Sequence, residues 1–186
     1  MTVDPIRKLK DIKSIAEMLK SSPRNHLLFV MGVNNGLRAG DLLRLKAGDV
    51  RHLKAGEHIT IRESKTGKNN ILLVNKTVYK AVRAYITALK PQDGDYLFKS
   101  RKGSNKPVTI QHVNHLMKKW TSAINLKGNF GAHSLRKTFG YIQRTEFGVG
   151  FDVIAKRYNH SNPAVTMRYL GIEDKEVHDI LMNEIG

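Results

Sequence analysis

The sequence contains one segment, residues 25–33 with the letters NHLLFVMGV, that restricts the fold more than any other. As a helix it is apolar on nearly every side, so it must lie in the interior with other elements packed around it. Pro23 suits the first turn of this helix. The segments 9–20, 77–90 and 109–124 repeat apolar residues at helical spacing, and we predict that they supply further helices.

A hairpin is the one clear β pattern in the sequence. Residues 58–64 alternate apolar and polar side chains, and residues 69–75 form a second strand pattern. Thr66 and Gly67 between them favour a turn. Because helical patterns outnumber strand patterns, we predict a mainly α fold with a small antiparallel β-sheet on one edge, an α+β domain.

The charge of the chain points to its partner. Its 186 residues include 32 Lys and Arg against 16 Asp and Glu, a formal net charge of +16. Such an excess favours a polyanionic partner, with nucleic acid first, over a basic surface kept only for solubility. The absence of cysteine excludes disulfides and thiolate metal sites and fits a reducing compartment. Because no apolar run reaches the ~20 residues of a membrane span and the N-terminus lacks a signal-peptide core, we expect a soluble, cytoplasmic protein with no membrane partner.

Side chains suited to catalysis gather within residues 131–170. His133 and Arg136 share the first turn of a predicted helix, His160 follows one helix later, and Tyr169 lies nine residues beyond it. Two imidazoles, a guanidinium and a phenol are poor material for a hydrophobic core. Together they can hold a phosphate group and attack it.

Two basic residues upstream are candidates for the same site. Arg38 lies at a bend directly after the buried helix, and Lys65 lies at the hairpin tip. Taken alone, Arg38 is compatible with an ordinary surface charge, and Lys65 with a charge that protects a sheet edge. A metal site at His112 and His115 is disfavoured, because no carboxylate lies near them in sequence and the chain has no thiolate. We predict no metal and no cofactor.

In this order, the candidates resemble the motifs of the tyrosine recombinases, the phage integrase family, in their catalytic domain. The resemblance covers residues from about 10 to 172. It is carried by Gly36-Leu37-Arg38-Ala39-Gly40-Asp41-Leu42-Leu43-Arg44-Leu45 for G-L-R-x-x-[DE]-L-x-x-L, by Lys65 in a K-T-G-K setting, by His133 to Phe139 for H-x-L-R-[HK]-[TS]-F, and by His160 and Tyr169. Two positions depart from the pattern: Tyr158-Asn159-His160 replaces the commoner L-G-H, and Thr166 stands one place later than the commonest threonine.

The resemblance implies the tyrosine recombinase catalytic-domain fold and cleavage of DNA without a metal. The family's tyrosine attacks a phosphodiester and forms a 3′-phosphotyrosyl link, which stores the bond energy for rejoining. The roles it implies are nucleophile for Tyr169, phosphate clamp for Arg38 and Arg136, hydrogen bonding or proton transfer for His133 and His160, general acid for Lys65, and support of the site for Asp41.

The resemblance also implies double-stranded DNA as the substrate and a homo-oligomer, a tetramer, on that DNA, with accessory proteins as further partners. Residues 1–172 correspond to the catalytic domain. Residues 173–186 correspond to a tail helix that docks on a neighbouring protomer or packs on its own domain. Most relatives carry an upstream DNA-clamping domain, whereas this chain begins at the catalytic domain, so we expect its DNA binding to depend mainly on phosphate contacts.

Two alternative functions share part of this pattern. A type IB topoisomerase uses the same constellation as a monomer to relax supercoils, and a non-catalytic basic module would keep the scaffold for DNA binding alone. The tail helix and the compact size favour a recombinase over a topoisomerase. The non-catalytic module is disfavoured because every expected catalytic position holds a residue of the required type.

Overall fold

The computed structural model describes residues 2–172 together with residues 181, 182 and 184. Within them the chain forms nine α-helices and one two-stranded sheet. In chain order the elements are α1 Leu9–Met18, α2 Pro23–Asn35, α3 Ala39–Leu43, α4 Ala47–Arg51, β1 His58–Arg62, β2 Asn69–Leu73, α5 Lys76–Leu89, α6 Ile110–Ala123, α7 Ala132–Thr145, α8 Phe151–Tyr158 and α9 Pro163–Leu170. The predicted tail helix, residues 173–186, lies outside the described residues except for the three positions just named.

Helix α2 is the centre of the domain, as its apolar sequence predicted. Residues 27–32 are buried, and the helix packs against α5 and α7. Pro23 occupies its first turn. The helix ends because Gly36 adopts the left-handed conformation, with φ of 60°, and the ring of Phe139 fills the space that a β-carbon would need. The chain therefore leaves α2 directly before Arg38.

The hairpin is shorter than its sequence pattern predicted. The strands pair antiparallel from His58 opposite Leu73 to Arg62 opposite Asn69. Beyond these pairs, Glu63 bonds to the turn residues of the hairpin through its backbone N–H and carbonyl. The tip of the hairpin is consequently longer than two residues, and it carries the predicted lysine.

A second, smaller hydrophobic cluster lies between α7, α8 and α9. Its largest fully buried member is Tyr158. Gly140 on α7 leaves room for this ring, because a β-carbon at that position would overlap the phenol oxygen. Ile154 and Leu170 pack in the same cluster. It therefore joins the helices that carry or flank the predicted catalytic residues of the last third.

The architecture confirms the predicted mainly α fold with a small antiparallel sheet. The main core surrounds α2, and the smaller cluster lies against α7. Among the helices described, none is long and apolar enough to cross a membrane.

Candidate active site

Helix α7 carries the predicted histidine–arginine pair. The helix begins at Ala132, whose backbone N–H donates to the side-chain oxygen of Asn114 on α6 at 2.7 Å. His133 and Arg136 lie three residues apart and so share one side of the first turns. Their environments differ, since His133 is exposed whereas Arg136 is only 2% exposed.

The buried guanidinium of Arg136 joins three parts of the chain. Its Nη1 donates to the backbone oxygen of Gly36 at 2.8 Å, and its Nη2 donates to that of Tyr158 at 2.7 Å. The guanidinium carbon also lies 4.2 Å from the centroid of the Tyr158 ring. Gly36 ends α2 and Tyr158 ends α8, so Arg136 connects both ends to α7. A guanidinium has five N–H donors, so these two bonds leave others for a bound anion.

Arg38 lies half-buried between α2 and α3, and it is fixed by a buried carboxylate. Its Nη1 is 2.6 Å from Oε2 of Glu63, whose side chain is 1% exposed. Burial alone would raise the pKa of Glu63, but hydrogen bonds from Thr66, Asn70 and Arg38, with the charge of Arg38, lower it to about 2. Glu63 is therefore ionised at neutral pH and holds one side of the Arg38 guanidinium.

Asp41 connects α3 to the base of the hairpin tip. Its Oδ1 accepts hydrogen bonds from the backbone N–H of Ser64 at 2.8 Å and from the Ser64 hydroxyl at 2.7 Å. Asp41 is buried, with 4% of its surface exposed. Because Ser64 precedes Lys65, this contact fixes the start of the turn that carries the lysine. The supporting role of Asp41 stays a prediction, and this contact gives it a physical basis.

Arg157, which the sequence motifs did not indicate, ties the hairpin to α2 and α8. From its place on α8, its guanidinium donates to the backbone oxygens of Asn35 and Ile71, each at 3.0 Å, and to the side-chain oxygen of Asn70. Asn70 in turn donates to the carboxylate of Glu63 at 2.8 Å. A continuous hydrogen-bond network thus runs from Arg157 on α8 through the hairpin to Glu63, whose carboxylate holds Arg38.

His160 is placed by a left-handed residue before it. Asn159 has φ of 55°, which asparagine adopts more readily than most residues, and this accounts for asparagine where the L-G-H motif has glycine. The Nδ1 atom of His160 lies 2.9 Å from the hydroxyl oxygen of Thr166. Burial and the positive charges of Arg136 and Arg38 lower the pKa of His160 to about 4. The imidazole is therefore neutral at pH 7.

Tyr169, in the last turn of α9, inserts its ring between two others. The centroid of its ring lies 5.7 Å from that of Tyr158 and 5.4 Å from that of His160, with nearly perpendicular planes. Its hydroxyl oxygen is buried, and no residue that the structure describes bonds to it in good hydrogen-bond geometry. Burial raises the pKa of Tyr169, and the nearby guanidinium groups of Arg136 and Arg38 offset part of that increase.

A cavity of about 290 Å³ opens beside Tyr169. His133 and Lys137 of α7 line one part of it, and Thr2 and Val3 line another. The Lys137 ammonium lies 5.1 Å from the centroid of the Tyr169 ring. Burial lowers the pKa of Lys137. An anion that enters this cavity meets positive charge close to the phenol.

Lys65 is exposed at the hairpin tip. The pKa of His133 is lowered first by desolvation and then by nearby positive charges, among them Arg136, Arg38 and Lys65. Lys65 therefore lies close enough for its charge to act on His133. The hairpin therefore brings Lys65 to the rim of the site without burying it.

The structure thus collects the predicted residues in one region, with an interior and a rim. Arg38, Arg136, His160 and Tyr169 form the interior, whereas His133 and Lys65 lie at the rim. Such an arrangement can neutralise an anion with two guanidinium groups beside a buried phenol. No group of three or more His, Cys, Asp or Glu side chains suited to a metal ion occurs within residues 2–172 or the three described tail positions.

The sequence motifs indicated neither Glu63 nor Arg157, although the strand pattern could have revealed Glu63. Glu63 continues the inward-facing positions of Ile59 and Ile61, and a carboxylate at an inward position requires a cation as partner. Arg157 had no such signal. Its partners Asn35 and Asn70 lie 122 and 87 residues away along the chain.

Comparison with known proteins places these motifs in a family. The model of the phage integrase family matches residues 7–176. The probable integrase/recombinase YoeC of Bacillus subtilis (strain 168) is 34% identical over 175 residues, which cover 92% of this chain and 91% of that protein.

Solved structures show the same fold. The crystal structure of XerA recombinase superposes with a TM-score of 0.76 at 21% identity, covering 98% of this chain and 67% of that one. The structure of XerH site-specific recombinase bound to palindromic difH substrate gives a TM-score of 0.73 at 17% identity, covering 97% of this chain and 53% of that one. The predicted tyrosine recombinase catalytic-domain fold is thereby confirmed. With a family match over most of its length, the chain belongs to the phage integrase family, the tyrosine recombinases.

Proposed function

We propose that this chain cleaves and rejoins double-stranded DNA through a 3′-phosphotyrosyl intermediate at Tyr169, as a site-specific recombinase. The observation that carries the proposal is the position of the Tyr169 hydroxyl. It is buried beside His160, within reach of the charges of Arg136 and Arg38. A tyrosine placed only for packing would not need two guanidinium groups close enough for their charges to act on its phenol.

The two arginines bind the scissile phosphate. Arg136 donates from the N–H groups that its two carbonyl bonds leave over, and Arg38 donates from the side of its guanidinium that Glu63 does not hold. As the phosphorus becomes pentacoordinate, negative charge grows on its nonbridging oxygens, and fixed donors stabilise that charge. Lysine cannot reproduce this geometry because it lacks the planar fork.

The reaction exchanges one phosphate ester for another. The phenol oxygen of Tyr169 bonds to phosphorus, and the bond between phosphorus and the 5′ oxygen breaks. The phenol gives up its proton to a base at the site, for which neutral His133 is the candidate. Lys65 donates a proton to the leaving 5′ oxygen, so the products are a 3′-phosphotyrosyl link and a 5′ hydroxyl. Attack by a 5′ hydroxyl reverses these steps and rejoins a strand.

The proposal extends to assembly. Strand exchange requires more than one active site on the DNA, and we propose a tetramer with accessory proteins as further partners. XerH, a structural neighbour, is seen bound to its difH substrate. The tail, residues 173–186, carries Val177, Ile180, Leu181 and Ile185 at helical spacing. We propose that it docks on a neighbouring protomer.

Covalent trapping tests the proposed chemistry. The full chain is incubated with nicked duplexes whose central sequence is randomised, so that the strand released on cleavage diffuses away and the adduct accumulates. Wild type should give a covalent protein–DNA band on a denaturing gel, and Tyr169→Phe should give none while still binding DNA. Tyr79→Phe, a matched change of a partly buried tyrosine on α5, should leave the band unchanged. An adduct that persists in Tyr169→Phe would assign the nucleophile to another residue.

A further inference from the structure

The hydroxyl of Thr166 lies inside the protein and faces His160. Thr166 is fully buried in the first half of α9. Its Oγ1 atom lies 2.9 Å from Nδ1 of His160. No other hydrogen bond of the Thr166 side chain is present in the part of the chain that the structure describes.

Two other helical threonines of this chain direct their hydroxyls to their own helix. Thr121 on α6 donates to the backbone oxygen of Met117 at 2.9 Å, and Thr145 on α7 donates to that of Tyr141 at 2.9 Å. Both partners lie four residues earlier in the same helix, the usual acceptor for a threonine within a helix. Thr166 instead points its hydroxyl away from its own helix.

The direction of this hydrogen bond follows from the donor requirements of the two groups. A buried hydroxyl needs an acceptor for its proton, because leaving it unpaired costs free energy. In a neutral imidazole one nitrogen donates and the other accepts. If Nδ1 of His160 carried the ring proton, it would donate to Thr166, and the threonine proton would have no acceptor among the described residues. If Nδ1 accepts instead, both groups are satisfied.

We propose that Thr166 is a positioning residue that holds His160 as the Nε2–H tautomer, so that the ring presents a hydrogen-bond donor to the scissile phosphate. The effect of this tautomer on the phosphate rests on the proposed function, whereas the tautomer itself follows from the contact between Thr166 and His160. A lone pair on Nε2 would repel the nonbridging oxygens, whereas an N–H group stabilises their growing charge. The lowered pKa of His160 supports this proposal, because the ring is neutral at pH 7. In a neutral ring the tautomer decides whether Nε2 presents a hydrogen-bond donor or an acceptor.

Nitrogen NMR of the full chain tests the tautomer directly. Long-range proton–nitrogen spectra are recorded on ¹⁵N-histidine-labelled protein at pH 7, and His160→Gln identifies the signals of His160 among those of the eight histidines. We expect a protonated Nε2 and a hydrogen-bonded, unprotonated Nδ1. A proton on Nδ1 in the wild-type protein would overturn the proposal without any variant.

Two variants and a control separate positioning from folding. Thr166→Ser keeps the hydroxyl and should keep the His160 spectrum, whereas Thr166→Val removes the hydroxyl and should shift the Nδ1 signal toward that of an unbonded nitrogen. Thr121→Val removes another buried helical hydroxyl and should leave His160 unchanged. An unaltered His160 spectrum in Thr166→Val would also contradict the proposal.

Activity provides the second readout. Single-turnover adduct formation should fall about tenfold in Thr166→Val, by analogy with metal-ligating histidines, which lose about 10- to 100-fold when their outer hydrogen-bond partner is removed. Thr166→Ser and Thr121→Val should stay close to wild type. If the wild-type chain forms no adduct with any DNA, the proposed function fails while the NMR result still decides the tautomer. Should Thr166→Val not fold, the wild-type spectrum and Thr166→Ser carry the test.

Discussion

Lys65 differs from the arginines of the site in that it is exposed and lies on the tip of a two-stranded hairpin. Arg136 is buried and Arg38 is paired with Glu63, so both are held in place before DNA arrives. A lysine on an exposed tip can reach the leaving oxygen only when the hairpin meets the substrate. The general-acid role that we propose for Lys65 therefore calls for a test that separates proton donation from binding.

We expect Lys65→Ala to abolish adduct formation on ordinary DNA and to recover most of it on DNA with a 5′-bridging phosphorothiolate. Sulfur leaves without needing a proton, so the general acid becomes unnecessary. The measurement is the single-turnover rate on both substrates, with Lys68→Ala as a control on the same hairpin. Absence of recovery on the sulfur substrate would make Lys65 a binding residue.

The low pKa of His160 predicts a pH dependence of stability. Its folded pKa of about 4 lies below the ordinary value of 6.5. Between these values the unfolded chain binds a proton that the folded chain does not, so the free energy of unfolding falls as the pH drops from 6.5 toward 4. Above pH 6.5 His160 is neutral in both the folded and the unfolded chain, so it causes no loss of stability there.

Two measurements check this pH dependence. NMR titration should place the midpoint of His160 near 4. Urea unfolding at pH 7 and pH 5 should show a smaller loss of stability for His160→Gln than for wild type. A midpoint near 6.5, with equal losses in the two proteins, would contradict the assignment of a desolvated, neutral imidazole.

At the scale of elements, Arg157 connects α8 and the end of α2 to the hairpin. Arg157→Ala leaves the backbone oxygen of Asn35 without its donor and removes one of the two donors to the side-chain oxygen of Asn70. We expect a loss of about 1–3 kcal/mol in the free energy of unfolding, the cost of one buried polar group left unpaired. Urea denaturation measures it. The control is Lys156→Ala, a change at an exposed residue of the same helix, whose free energy of unfolding should stay within about 0.5 kcal/mol of wild type. An equally small effect of Arg157→Ala would show that the network does not hold the hairpin.

The sequence predicted the elements better than the contacts between them. Periodicity identified α2 and the hairpin because the apolar residues of an element repeat within a short stretch of chain. It overestimated both strands: β1 ends early because Glu63 bonds to the turn residues, and β2 ends early because Asn75 caps α5.

The same limit applies to the site. Motif order placed Arg38 and Tyr169 in one region, where the charge of the arginine acts on the phenol. It could not reveal that Glu63 holds Arg38 or that Thr166 bonds to His160. These pairs depend on how α2, the hairpin, α8 and α9 pack, and no local pattern encodes that packing.

At the scale of the whole molecule, the net charge of +16 governs the encounter with DNA. Each phosphate that the protein neutralises contributes about −0.9 to the slope of log K against log salt on duplex DNA. We expect a steep slope, with affinity falling about 10³-fold or more between about 50 and 200 mM salt, and a modest preference for cognate over scrambled duplex. Titrations of both duplexes at several salt concentrations measure this. A shallow slope with strong sequence preference would show that base contacts dominate.

The bonds of Arg136 to the carbonyls of Gly36 and Tyr158 also bear on when the protein can act. The net charge of +16 does not depend on folding, so a partly unfolded copy keeps its attraction to a polyanion. In the proposed mechanism, cutting also requires the ends of α2 and α8 to have packed against α7, because those ends supply the two carbonyls that hold the Arg136 guanidinium. We therefore expect a partly unfolded copy to bind DNA without cutting it.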